Sequence, residues 1–274
     1  DVDTIIGIEN VSGGTKADKL TGDANNNTLI GNAGDDTLKG AAGDDYLDGG
    51  NNTDTVDFSD ATSGISVDLR ESSAQAIGGG LGNDTLINIE NVKGGQFDDT
   101  FIGVDSVTNK FDGGEGSETA GDTVSYAHLT NNADKVDVNL INGTASIVKQ
   151  GVGQAGDTSV DIENITGTSG DDTFKGNSEV NTFTGNAGAD TVTYDYVSSD
   201  SVVVDLNNTT SNNVTVGSSS DIDRVIDVEN VIGGSSNDTI IMKATGSDTN
   251  IIDGSDGVDT VSYANYTNNV KVDL

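Results

Sequence analysis

The chain has 274 residues, of which 46 are acidic and 12 basic, giving a formal net charge of −34 at pH 7. So acidic a surface excludes nucleic acid as a partner, because a phosphate backbone needs basic patches. The absence of Cys excludes disulfides and thiolate metal sites, and no run of apolar residues is long enough for a transmembrane segment.

Only 32% of the residues are hydrophobic and Trp is absent. A chain this charged and this poor in apolar side chains is usually disordered. Two features oppose that outcome: Pro is absent, and the apolar residues recur at fixed intervals. The composition therefore points to a fold completed by cations, since repulsion on this scale opposes compaction unless counter-ions are built in.

From Gly13 the chain falls into five consecutive nines: GGTKADKLT, GDANNNTLI, GNAGDDTLK, GAAGDDYLD and GGNNTDTVD. Each starts with Gly, carries Asp or Asn at its sixth position (Asp18, Asn27, Asp36, Asp45, Asp54) and Leu or Val at its eighth. The register returns at Gly79, Gly94, Gly167, Gly176, Gly185, Gly233 and Gly254, which places Asp84, Asp99, Asp172, Asn181, Asp190, Asp238 and Asp259 at sixth positions. A row at Gly113 reaches Asp122 after about four extra residues, Ser117 to Ala120.

A longer period overlies this one. The phrase Ile8-Glu9-Asn10-Val11 reappears at Ile89 to Val92, Ile162 to Ile165 and Val228 to Val231. Asp3, Asp84, Asp157 and Asp223 each precede it by five residues, and alternating phrases such as Val67 to Leu69 close each unit. The chain is thus expected to comprise four modules, 1–78, 79–151, 152–217 and 218–274, the second with insertions and the last truncated. No Pro- or Ser-rich linker divides them, which favours one continuous rod cut from a longer protein.

The first six residues of a nine are turn chemistry, with Gly supplying positive φ where the backbone needs it. The last three, such as Thr37-Leu38-Lys39, make a minimal strand with its apolar residue facing inward. Eighteen residues then close a coil. Adjacent strands lie about 4.8 Å apart, so Asp18, Asp36 and Asp54 stack on one edge and Asn27 and Asp45 on the other. Two carboxylates at that separation repel by roughly 3–4 kcal/mol at an effective dielectric near 20. A cation between them reverses the sign. Calcium bonds oxygen at about 2.3–2.6 Å and accepts backbone carbonyls, and half the stacking distance matches that length better than magnesium's stricter octahedron.

These residues resemble the repeats-in-toxin (RTX) consensus Gly-Gly-x-Gly-x-Asp-x-apolar-x. The longer unit, with DTVSYA at Asp259 to Ala264, VKVDL and IENV, is similar to modules of large type I-secreted bacterial proteins such as surface-layer proteins and giant adhesins. The resemblance implies an all-β, right-handed parallel β-roll or β-solenoid with stacked calcium-binding turns, folded outside the cell.

The expected metal ligands are Asp3, Asp18, Asn27, Asp36, Asp45, Asp54, Asp84, Asp99, Asp122, Asp157, Asp172, Asp190, Asp223, Asp238 and Asp259, holding several Ca2+ ions. Asn27 and Asn181 weaken their rows by a charge, and loops or missing ions are expected near Ser117 to Ala120, Met242 to Asp253 and Ser159. The fifth-position acids Asp35, Asp44, Asp98 and Asp171 are expected to be solvated. His128, the only histidine, has no catalytic partners and is expected at the surface. Phe58, Tyr126, Tyr194 and Tyr263 share a repeat position, which reads as packing rather than a carbohydrate-binding stripe.

The repeats account for every acidic pair, so no enzyme activity is expected. The expected role is a calcium-stabilised structural segment of a secreted bacterial cell-surface protein, with calcium and neighbouring copies as partners. The alternative is the secretion and folding module of a type I-secreted exoenzyme or toxin.

Overall fold

The structure, a computed structural model, describes residues 6–114, 116, 118–141, 144–150, 156–207, 213–217, 222–243, 249–267 and 269–272, with 144–150 described in backbone only. Regular structure among them is β-strand, mostly three residues long. The shortness follows from the spelling of the nine, since a single apolar residue between two polar ones gives one buried position flanked by two half-buried ones, as in Thr37–Lys39. Most strands pair in parallel, and the fold is an all-β parallel β-roll.

The chain divides into two compact units, the first comprising Asp1–Ser125 with Ala155–Ile162 and the second Tyr126–Gln154 with Glu163–Leu274. In the first unit, successive strands alternate between sheets. One sheet carries Asn10–Ser12, Thr28–Ala33, Tyr46–Asn51 and Asn83–Ile87, so that Leu29 lies opposite Leu47 and Leu47 opposite Leu86. The facing strands stack Leu20, Leu38, Val56, Val92 and Phe111 in register. Val67, Phe101 and Val124 form a third column.

The second unit repeats the plan. Val138, Phe174, Val192 and Val231 are aligned in one column, Ile165, Phe183 and Val225 in another, and Val204, Ile240 and Val261 in a third. In both units these columns form the centre of the interior. Leu38, Leu47, Val56, Phe101, Phe111, Phe174 and Phe183 are all fully buried. The Phe101 and Phe111 rings stack at 5.7 Å, and those of Phe174 and Phe183 at 5.3 Å. Phe58, Tyr126 and Tyr194 are buried too, in agreement with the packing reading, whereas Tyr263 is half-buried against Tyr266.

Two features depart from a purely parallel roll with an eighteen-residue coil. Antiparallel pairs interrupt it at Gln75–Ala76 with Asn83–Ile87, at Lys135–Asn139 with Thr144–Gln150, and at Val202–Asp205 with Val214–Val216. Residues from these excursions, Ile77, Leu81, Val214 and Val216, are buried, so the excursions add core where the nines stop. The row around Asp157 is also not a loop. Ser159 is buried in the strand Asp157–Val160 opposite Phe111, at the place an apolar residue takes elsewhere.

Candidate metal centre

The sixth-position side chains stand directly after each turn and just before each strand, and the parallel register brings them into columns. Each column is a ladder. The Asp18 N–H donates to Asp36 Oδ1 at 2.7 Å, and the Asp36 N–H to Asp54 Oδ1 at 2.7 Å. On the other edge the Asn27 N–H donates to Asp45 Oδ1 at 2.7 Å and the Asp45 N–H to Asp84 Oδ1 at 3.0 Å. The same link joins Asp99 to Asp122, Asp172 to Asp190, Asn181 to Asp223 and Asp238 to Asp259. Asp157 accepts from the Asn109 N–H at 2.9 Å. Every expected ligand except Asp3, which lies outside the described residues, therefore occupies such a ladder, and all but Asp18 and Asp259 are buried.

The second carboxylate oxygens differ. Oδ2 of Asp36, Asp45, Asp54, Asp84 and Asp190 is buried without a hydrogen-bond partner. An unpaired buried carboxylate oxygen is costly, and the cost shows in protonation. Burial first, then neighbouring carboxylates, push Asp54 to about 6 and Asp84 and Asp190 to about 7, against backbone hydrogen bonds that pull the other way. Asp45, Asp99 and Asp172 are raised as well, again with burial as the largest cause.

The first-position glycines explain where these oxygens go. A Cβ on Gly31 would lie 2.3 Å from Asp36 Oδ2 and 2.4 Å from the Gly49 carbonyl oxygen. On Gly185 it would lie 2.3 Å from Asp190 Oδ2 and 2.1 Å from the Asp227 carbonyl oxygen. The missing side chain thus leaves space into which a carboxylate and a carbonyl of the next coil both project. Except at Gly79, where φ is 58°, positive φ is not the reason for glycine at this position. The left-handed residues are instead at second and fourth positions, for example Asn32 and Gly34 or Ala41 and Gly43. The donors are oxygens only, with the carboxylates supplying negative charge. That set fits a hard cation such as calcium.

Glutamates of the IENV phrase join the ladders, which the nonapeptide register does not reveal. Glu90 Oε2 accepts the Asp54 N–H at 2.9 Å and Glu229 Oε2 accepts the Asp190 N–H at 3.1 Å. Val92 aligns with Val56 and Val231 with Val192, so each glutamate fills a sixth position. The turn before it is shortened: only Asn88, left-handed at φ 51°, Ile89 and Glu90 separate the strand ending at Ile87 from Asn91. The signal was the apolar residue two places after each Glu.

The fifth-position acids are not uniformly solvated. Asp98 is half-buried and accepts hydrogen bonds from the Thr119 hydroxyl and the N–H groups of Thr119, Ala120 and Gly121. Burial works to raise its pKa, but those bonds outweigh it and hold Asp98 at about 2, fixing the end of the insertion. His128 is half-buried rather than on the surface.

The family model for the RTX calcium-binding nonapeptide repeat (4 copies) matches residues 4–38, 21–56 and 160–195. No curated protein matches the chain. RTX repeats bind several Ca2+ ions per array and mark calcium-binding structural modules of type I-secreted, extracellular bacterial proteins. Residues 4–56 and 160–195 of this chain thus carry RTX calcium-binding nonapeptide repeats.

Proposed function

We propose that the chain is a calcium-stabilised structural segment of a large bacterial cell-surface protein of the surface-layer or fibrous-adhesin type, which folds after export. The observation that carries the reading is the set of buried carboxylate oxygens without partners at Asp36, Asp45, Asp54, Asp84 and Asp190, which at Asp36, Asp54 and Asp190 share their space with a backbone carbonyl oxygen. In cytosol, where free calcium is scarce, these groups repel one another and the roll is disfavoured. Outside the cell, sixth-position carboxylates and first-position carbonyls would hold calcium, whose charge offsets the repulsion that the net charge of −34 creates. The seventy-residue modules follow one another with no sequence set aside for chemistry, which favours a scaffold over a catalyst.

The scaffold role is tested by adding millimolar calcium to purified chain and following sedimentation and negative-stain images across a concentration series. Calcium-dependent assembly into sheets or fibres is expected. A calcium-loaded chain that stays monomeric at every concentration and binds no cell surface would remove the surface-layer reading.

A further inference from the structure

Not every nine presents its carboxylate in the same way, and the difference lies in the backbone of the turn. In the rows at Gly13, Gly22, Gly94, Gly167, Gly176 and Gly233, the second residue has no positive φ and its N–H donates to the sixth-position side chain of its own row. Examples are the Gly95 N–H to Asp99 Oδ2 at 2.7 Å and the Gly234 N–H to Asp238 Oδ2 at 2.7 Å. Such a turn closes on itself, and both oxygens of Asp99 and Asp238 are satisfied by N–H groups.

In the rows at Gly31, Gly40, Gly49, Gly79 and Gly185, the second residue is left-handed, at Asn32, Ala41, Gly50, Gly80 and Asn186. None of these N–H groups closes the turn, and in each of these five rows Oδ2 is buried and unpartnered. The fourth residue is left-handed in the same rows, at Gly34, Gly43, Asn52, Gly82 and Gly188. Lys16, Phe97, Glu179 and Ser236 take the fourth place in closed rows, and such residues adopt that conformation at a cost. In the remaining closed rows and again at Gly176, the second side chain caps its own turn: Asp23 accepts the Asn25 N–H, Thr168 the Gly170 N–H and Asn177 the Glu179 N–H.

We infer that the handedness of the second and fourth residues decides which nines take calcium, so that Asp36, Asp45, Asp54, Asp84 and Asp190, together with Asp259, whose row has left-handed Ser255 and Gly257, are ligands of their own rows while the closed rows use a backbone N–H instead. The inference rests on the calcium reading above and sharpens it from a repeat to individual rows. The two nines with Asn at the sixth position, Asn27 and Asn181, are both closed rows, where one neutral acceptor oxygen suffices. Asn109 follows a turn one residue longer and stands outside this comparison. The closed rows then serve as calcium-independent spacers, and the number of ions is set by turn spelling rather than by the number of Asp residues.

The test is calcium-45 equilibrium dialysis at saturating calcium on the full chain and on D54N, D190N, D99N and D238N, each checked for β content by circular dichroism. D54N and D190N are expected each to lose a bound ion, and D99N and D238N to keep the wild-type stoichiometry. Equal losses in all four would overturn the inference while leaving the chain a calcium binder. A wild-type chain that binds no calcium would overturn the calcium reading itself. Should the variants fail to fold, the anomalous calcium signal in crystals of the wild-type chain decides: ions beside Asp36 and Asp190 but not beside Asp99 and Asp238 support the inference, and ions beside all four contradict it.

Discussion

Asp54, Asp84 and Asp190 are titrated by the fold rather than by solvent. An unfolded chain releases these protons near 3.8, whereas the ion-free fold holds them to about 6 for Asp54 and about 7 for the other two. Folding without calcium therefore takes up protons, and the stabilisation this gives is complete below the unfolded value and lost as pH rises through the folded one. Calcium-stripped protein is expected to show more β structure by circular dichroism near pH 5 than near pH 8, and calcium to bind more tightly near pH 8, where no proton competes. Asp98, held at about 2, acts in the opposite sense, its contribution being lost only in stronger acid. A single methyl group probes the same space from the other side. Gly31→Ala would put a Cβ against both Asp36 Oδ2 and the Gly49 carbonyl, the latter being backbone that yields little. Overpacking of this kind costs about 1–3 kcal/mol, and it should lower the urea midpoint of the calcium-loaded protein and weaken calcium uptake together.

At the scale of the turn and strand, the nine-residue spelling was legible because each nine is nearly self-sufficient: six polar turn residues, then one apolar residue that sets the face. The stacking of Asp18, Asp36 and Asp54 followed directly from the eighteen-residue interval. Legibility ended where the interval changed. Asp45 bonds to Asp84 across 39 residues, and Asp54 to Glu90 across 36, because the excursion containing Gln75–Ala76 intervenes and the turn before Glu90 is short. Counting nines cannot reach across such a break, so Glu90 and Glu229 escaped notice, and the antiparallel pairs, which no repeat announces, did too. Turn handedness escaped for a different reason: Gly170 is a glycine at the fourth position yet its row is closed, since β-branched Thr168 two residues earlier holds the turn. The strand interiors are thin, so single rings matter. Phe183 is fully buried and stacks on Phe174, and Phe183→Ala should cost about 3–5 kcal/mol in the urea unfolding of the calcium-loaded protein.

For the molecule as a whole, the central quantity is the coupling between calcium and folding. Extracellular calcium modules bind at about 10⁻⁴ to 10⁻³ M, a range in which sites are vacant in cytosol and largely filled outside the cell. Each site held at tenfold its Kd adds about 1.4 kcal/mol, and the ladders join neighbouring sites through backbone N–H groups, so several such increments act together. With 46 acidic side chains against 12 basic ones, the unliganded chain has little else to oppose its own repulsion. The most direct measurement is far-ultraviolet circular dichroism across a calcium titration at neutral pH, with magnesium as the control. A cooperative transition from coil to β structure in calcium, with no equivalent in magnesium, is the predicted result. A β signal that persists unchanged in chelator would mean that the acidic turns do not hold the roll together, and would contradict the account.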